Sequence, residues 1–291
     1  MLLEFLGAFH VLIHMDKYLF DGALMKKITC RFEHSTWPFW VHDDGDYLSR
    51  KLQSKTHGGP GTWEPTHSRA VVSNLRAGDV AIDLGANMGW YTHLMSQAVG
   101  ATGQVIALEP NRDNFRVLQA NQELNAWHNV TLCEQAAGRS RGQVWLSEPK
   151  NTNHGDSRIY HPGGSHDVRY KVAVTDIDSL LAQLEIDSKS VRFIKMDCQG
   201  AEPHILAGMS RTLSLMTSGS AVLIEIWPES WNQQPDIDVE QIFTALQHDW
   251  HITNDDMITA QSWPDFMARV RRHFHSSRHV LRGWDVLLTR V

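Results

Sequence analysis

The run from Gly78 to Tyr91, Gly-Asp-Val-Ala-Ile-Asp-Leu-Gly-Ala-Asn-Met-Gly-Trp-Tyr, constrains the fold more than any other stretch of the chain. Val80, Ala81 and Ile82 form a short apolar run that leads into Asp83. Gly85 and Gly89 follow, and then a helical pattern begins. This pattern spells a buried strand that turns sharply into a helix. Gly85 permits positive φ and removes the Cβ that would stand in a ligand's way. The start of the helix offers N–H groups that have no partner within it. A second apolar run, Val105 to Leu108, ends in Glu109, 20 residues after Gly89. An acid there is placed to take the two hydroxyls of a ribose. The two motifs together point to an adenosine-type cofactor on a doubly wound sheet.

The rest of the chain supplies the alternation such a sheet needs. Strands are expected at Val80–Leu84, Val105–Glu109, Val130–Glu134, Val191–Asp197, Ala221–Ile226 and Trp284–Leu288. Helices are expected at 65–75, Trp90–Val99, Asp113–Asn125, Asp176–Leu184, Glu202–Leu215 and Val239–His248. Strand–helix alternation builds a parallel sheet with helices on both faces. Gln143–Leu146 and Val168–Val174 read as strands of an insertion around the polar loop Asn151–Gly164. Residues 1–60 read as an N-terminal accessory region and 61–291 as the main domain. Within the accessory region, Ile28–Glu33 and Pro38–His42 suggest a hairpin, and Asp43 or Asp44 caps a helix to about Ser54. The glycine-rich segment His57–Gly61 marks the boundary. The apolar segment Met1–Met15 contains Glu4 and no early positive charge, so it reads as a packed amphipathic helix and not a signal peptide.

Composition narrows the function. With 42% hydrophobic residues, the 291-residue chain can bury a full core without cross-links. Cys30, Cys133 and Cys198 form no C-x-x-C pair and read as reduced thiols in a cytoplasmic protein. A net charge of −6 disfavours broad contact with nucleic-acid phosphates. No stretch approaches the ~20 apolar residues of a spanning helix.

Five expected strands end in an acid: Asp83, Glu109, Glu134, Asp197 and Glu225. Ligands of open α/β sheets bind outside the carboxyl ends of the strands. Acids there read either as caps of the following turns or, stacked together, as an acidic crevice. Such a crevice suits a hydroxylated cation and not a pyrophosphate. Gly85-Ala-Asn-Met-Gly89 is also G-x-x-x-G, not the G-x-G-x-x-G of dinucleotide folds. Both points favour S-adenosylmethionine over NAD.

Three segments resemble the FkbM-type methyltransferases. Asp83-Leu-Gly-Ala-Asn-Met-Gly-Trp-Tyr-Thr92 is similar to the family's first motif. Glu109-Pro110 with Asn114, Asn121 and Asn125 is similar to its second. Phe193-Ile-Lys-Met-Asp-Cys-Gln-Gly-Ala-Glu202 with Leu206 and Gly208 is similar to its third. Asp46–Ser49 and Trp63–Pro65 resemble the family's lead-in. The resemblance implies an α/β class I methyltransferase (Rossmann-like) fold: a seven-stranded, mostly parallel sheet with its last strand antiparallel, plus the N-terminal extension. It implies S-adenosylmethionine as cofactor, with Glu64, Asp83, Gly85, Asn87, Gly89, Glu109, Pro110, Ala136 and Asp197 around it. Relatives mostly O-methylate saccharides or natural products, and some N-methylate peptides. The third motif commonly carries an acid where this chain has Gln199.

A hydroxyl acceptor must lose its proton as it attacks. Asp197, Glu202, His204 and His154 are the candidates for that base, Asp197, Glu202 and His154 before His204. Asp197 ends the fourth core strand, Glu202 opens a helix, and His154 lies in the polar loop. His204 reads as exposed in the first turn of the same helix. No resident metal is expected, although Asp197, Glu202 and Glu225 are the carboxylates that magnesium would use. The leading expectation is a small-molecule or saccharide O-methyltransferase. A peptide N-methyltransferase and a catalytically weak binding module that lost its base at Gln199 stand as alternatives. A homodimer stays open.

Overall fold

The computed structural model describes residues 17–20, 23–54, 61–159, 166–231, 236–274 and 283–291. The expected helix in Met1–Met15, residues 57–60 of the glycine loop and residues 160–164 of the polar loop lie outside the described residues.

Three antiparallel strands open the described chain: β1 (Lys17–Phe20), β2 (Ala23–Phe32) and β3 (Ser35–His42). The expected hairpin is therefore longer than its apolar residues suggested. Helices α1 (Tyr47–Gln53) and α2 (Pro65–Ser73) follow. The cap of α1 is Asp46, not Asp43 or Asp44, because only Asp46 adjoins the first helical turn. Its Oδ2 accepts from the Ser49 amide at 2.8 Å and the Ser49 hydroxyl at 2.9 Å.

The core then runs β4 (Val80–Leu84), α3 (Trp90–Val99), β5 (Gln104–Leu108), α4 (Arg112–Leu124) and β6 (Val130–Cys133). A small sheet is inserted here, formed by β7 (Ala136–Ala137), β8 (Gly142–Pro149) and β9 (His166–Thr175). The core resumes with α5 (Ile177–Gln183), β10 (Val191–Met196), α6 (Glu202–Gly208), α7 (Ser210–Leu215) and β11 (Ala221–Ile226). It closes with α8 (Pro228–Trp231), α9 (Val239–Leu246), β12 (Trp250–Thr253), β13 (Ala260–Gln261), α10 (Trp263–Phe274) and β14 (Trp284–Arg290).

The main sheet has the order β13-β12-β14-β11-β10-β4-β5-β6. Pairings from β6 to β11 are parallel, and β14 runs antiparallel to β11 and β12. A mostly parallel sheet with an antiparallel last strand is the architecture that the resemblance implies. The two-residue β13 adds an eighth strand at the edge, so the expected count of seven is corrected. The helix expected over Glu202–Leu215 is two helices. They break at Met209, after Gly208 brings α6 against the backbone of Gly138; a Cβ on Gly208 would lie 2.1 Å from the Gly138 carbonyl oxygen.

Strand residues alternate between two apolar layers, as a pleated sheet requires. Ile82, Leu84, Ile106, Leu108, Ile194 and Met196 pack with α5, α6, α9 and α10. Ala81, Val105, Ala107 and Phe193 pack with α3, α4 and the hairpin residues Met25, Cys30, Phe39 and Val41. The hairpin is also hydrogen-bonded to α4. Asn121 accepts from the Trp40 amide at 2.6 Å and donates to the carbonyls of Trp40 and Met88, both at 2.9 Å. Asn125 donates to the Pro38 carbonyl at 3.1 Å.

Candidate active site

The carboxyl ends of β4, β5, β10 and β11 open into a cavity of about 910 Å³. That volume falls within the range of small-molecule and cofactor sites. Glu64, Gly85, Asn87, Glu109, Pro110, Ala136, Asp197 and His154, all expected at the site, line it. Asp83, Gly89 and Glu202 do not.

Glu109 anchors one end. The buried carboxylate accepts from the Asn87 amide at 2.7 Å through Oε2 and from the Asn111 amide at 2.9 Å through Oε1. Each oxygen keeps acceptor capacity, which fits two adjacent ribose hydroxyls. Burial raises its pKa to about 7 against the pull of these two amides. Close backbone approach completes the cradle. A Cβ on Gly85 (φ +75°) would lie 2.0 Å from the Asp197 carbonyl oxygen, and one on Gly155 would lie 2.9 Å from the side-chain Nδ2 of Asn87.

Asp83 lies beneath this floor. It is fully buried, accepts from the Thr92 hydroxyl at 2.6 Å, and has Oδ1 3.9 Å from the Lys195 ammonium. Asp83, expected at the cofactor, does not reach the cavity; its neighbour Lys195, which the sequence reading missed, lines it instead. Lys195 donates to the Gly85 carbonyl at 3.0 Å and stands 3.7 Å from Asp197 Oδ2. Burial works against its charge, but the carboxylates of Asp197 and Asp83 outweigh that and hold its pKa above the ordinary lysine value. The signal was present in sequence as a lysine inside a largely apolar strand, and the strand register then sets it beside Asp83.

Gly89 (φ +95°) serves packing. A Cβ there would lie 2.6 Å from Leu118 Cδ1 and 2.9 Å from the Trp127 ring. Glu202 is likewise moved from base to scaffold. Fully buried, it accepts from the amides of Cys198 at 2.9 Å and Gly200 at 3.2 Å and from the Trp231 indole at 3.3 Å. These bonds close the turn after β10, in which Gln199 (φ 52°) and Gly200 (φ 103°) both take positive φ. His204, expected at the surface, is buried, with Asp236 3.9 Å away. Glu134 also stays outside the cavity, facing Arg112 at 3.9 Å. The acidic crevice is therefore built by Glu109, Asp197 and Glu225, with Glu64, Asp156 and Glu229 added. With Glu202 engaged by amides, the magnesium-binding trio read from sequence is not assembled in the cavity.

Asp197 carries its carboxylate 42% exposed into the cavity. Its Oδ1 accepts from the Gln199 amide at 2.7 Å, and the same nitrogen reaches Glu225 Oε2 at 3.4 Å. Burial raises the Glu225 pKa well above the ordinary value, and the nearby carboxylates of Asp197, Glu202 and Asp285 add to the rise. Glu64 accepts from the Tyr91 hydroxyl at 2.6 Å. Residues 153–158 of the insertion form the opposite wall. They are tied down by Asn111, which donates to Ser157 at 2.9 Å and to Glu148 at 3.0 Å. His154 lies on this wall but gives its Nε2 to Asp44 at 2.6 Å.

The family profile described as the methyltransferase FkbM domain matches residues 83–249, more than half of the chain. No curated protein sequence matches it. Among solved structures, the O-methyltransferase TomG from Streptomyces achromogenes, in complex with S-adenosylmethionine, is 13% identical with a TM-score of 0.45. That match covers 84% of this chain and 88% of the other. An O-methyltransferase from Bacillus cereus, in complex with S-adenosylhomocysteine, is 10% identical with a TM-score of 0.44, over 84% and 86% of the two chains. An rRNA methylase from Streptococcus thermophilus is 9% identical with a TM-score of 0.44, over 78% and 95%.

Proposed function

The chain belongs to the FkbM methyltransferase family, and we propose that this S-adenosylmethionine-dependent methyltransferase O-methylates a hydroxyl of a saccharide or hydroxylated natural-product small molecule. One observation carries the reading: Glu109, fixed by two backbone amides, and the exposed carboxylate of Asp197 line the same cavity. Bound S-adenosylmethionine supplies a methyl group already activated on a sulfonium. In this reading Glu109 takes the ribose hydroxyls, with Gly85, Asn87, Pro110 and Ala136 around the nucleoside. Asp83 acts through Lys195. Glu64 and Asp197 give the cavity its negative charge toward a cationic ligand.

Asp197 receives the proton of the acceptor hydroxyl as the new C–O bond forms. Lys195 and Gln199 hold that carboxylate in place. A base thus survives although Gln199 is not an acid, which favours the enzyme over the weak-binding alternative. The remaining walls support a polyhydroxylated acceptor. Trp63 and Trp227 offer aromatic faces, and Glu225 and Glu229 offer acceptors for further hydroxyls. The wall formed by residues 153–158 keeps water from the reacting groups. Residues 1–60 are the accessory region of this reading and 61–291 the methyltransferase domain. A cytoplasmic place of action agrees with three unpaired cysteines. Among the described residues no helix is long and apolar enough to cross a membrane.

The test is a calorimetric titration of S-adenosylhomocysteine into wild type and Glu109→Ala, followed by turnover with a panel of sugars and phenols. Micromolar binding weakened about 10–100-fold, or roughly 1.4–2.8 kcal/mol, is expected for Glu109→Ala. Asp197→Asn should bind normally and turn over slowly. Equal binding by wild type and Glu109→Ala would remove the ribose assignment, and full turnover by Asp197→Asn would remove the base.

A further inference from the structure

We infer that His42, Asp44 and His154 form a binding site for a divalent transition-metal cation of the zinc type, clamping the N-terminal hairpin to the insertion. The three residues come from distant parts of the chain. His42 ends β3, Asp44 follows it, and His154 belongs to the short helical turn His154–Asp156. One potential ligand atom from each lies within 4.8 Å of the others. The imidazole rings of His42 and His154 stand 4.5 Å apart, centre to centre, tilted by 36°.

The surrounding hydrogen bonds prepare the ligands. Asn114 donates from Nδ2 to the His154 carbonyl at 3.1 Å, which leaves its Oδ1 facing His42 Nε2 at 2.9 Å. That nitrogen must therefore carry the proton, and Nδ1 of His42 keeps its lone pair. A ligating histidine is commonly oriented in this way, by a partner that accepts from its other nitrogen. The backbone of His154 is pinned as well. Its amide donates to Asp46 Oδ1 at 3.2 Å and its carbonyl accepts from Ser157 at 3.0 Å.

Asp44 and His154 already share a 2.6 Å hydrogen bond, and their side chains are 42% and 21% exposed. Both can move the short distance that bonds of about 2.0–2.2 Å require. Two imidazoles and one carboxylate suit zinc, cobalt or iron, whereas magnesium and calcium prefer oxygen ligands alone. The clamp holds residues 153–158 at the cavity wall. The metal site itself does not depend on what the cavity binds.

The test uses tag-free full-length protein treated with a chelator and titrated with Zn²⁺ alone, then Co²⁺ alone. Wild type should take up one Zn²⁺ at micromolar concentration or below, and Co²⁺ should develop the visible absorption of a low-coordinate histidine site. Asp44→Asn and His154→Gln, both at partly exposed positions, should each weaken binding at least about tenfold. Exposed His128→Gln should bind as wild type. Circular dichroism and thermal melting confirm that the variants are folded. Failure of wild type to bind Zn²⁺, or equal binding by folded Asp44→Asn and His154→Gln, would overturn the site.

Discussion

The side-chain amide of Gln199 donates to Asp197 at 2.7 Å, from a backbone held at positive φ, and its nitrogen lies 3.4 Å from Glu225. A neutral donor therefore sits between two carboxylates, where the related motif commonly has an acid. Gln199→Glu would replace this donor with a further acid beside Asp197. Like charges raise carboxyl pKa values, so the acidic limb of the kcat profile should move to higher pH. Turnover near neutral pH should fall about tenfold and recover as the pH rises. An unshifted limb would show that Gln199 does not tune Asp197.

Lys195→Met should cost about 3–5 kcal/mol in denaturant unfolding, because it leaves the fully buried Asp83 without its cation. Adding Asp83→Asn should regain most of that loss, since the Thr92 hydroxyl can still donate to the amide oxygen. If the double variant is as unstable as the sum of the two single ones, the pair is not coupled.

Stability should fall as the pH rises toward 7 and beyond. Burial raises the folded-state pKa of Glu202 from 4.5 to about 7, outweighing its backbone hydrogen bonds. A raised carboxyl contributes stability that is fully present below the unfolded value and is lost as pH rises through the folded one. Glu109, also raised to about 7, acts in the same direction. Glu202→Gln should shrink the fall in Tm between about pH 5 and about pH 8 by about 2–4 °C, the size expected of about 1 kcal/mol. A Tm that rises over this range in wild type would contradict the assignment.

Gly89→Ala separates packing from binding. The new methyl meets Leu118 and Trp127, and the backbone stays at φ +95°. Strain and overpacking together should cost about 2–4 kcal/mol. The folded variant should keep its affinity for S-adenosylhomocysteine within about threefold. A large loss of affinity without loss of stability would return Gly89 to the cofactor site.

Where punctuation is sharp, the sequence reads to the residue. The bounds of β4, α3 and β11 match the expected ones: Asp79 precedes the apolar start of β4, Gly89 and Gly100 bracket α3, and Gly219-Ser220 precedes the apolar start of β11. The strand β12 went unread because Trp250–Thr253 is four residues long and exposes His251 between two buried neighbours. The chain marked where the carboxylates lie along it, but not which of them reach the cavity. Glu202 is a scaffold because the turn 197–201 folds its amides over the carboxylate, and that follows from tertiary closure. Lys195 was legible in principle, since a lysine inside a buried parallel strand requires an acid beside it.

Asn121 and Asn125 have a role beyond holding the hairpin to α4. As the outermost strand of its sheet, β3 would present unpaired amides and carbonyls on its free side. Along that side Trp40 has both backbone groups taken by Asn121, Pro38 has its carbonyl taken by Asn125, and proline carries no N–H to offer. At these two residues the edge has no backbone group left to pair, so another chain cannot extend the sheet through them. Two asparagines and one proline thus guard this long hairpin against strand-by-strand aggregation.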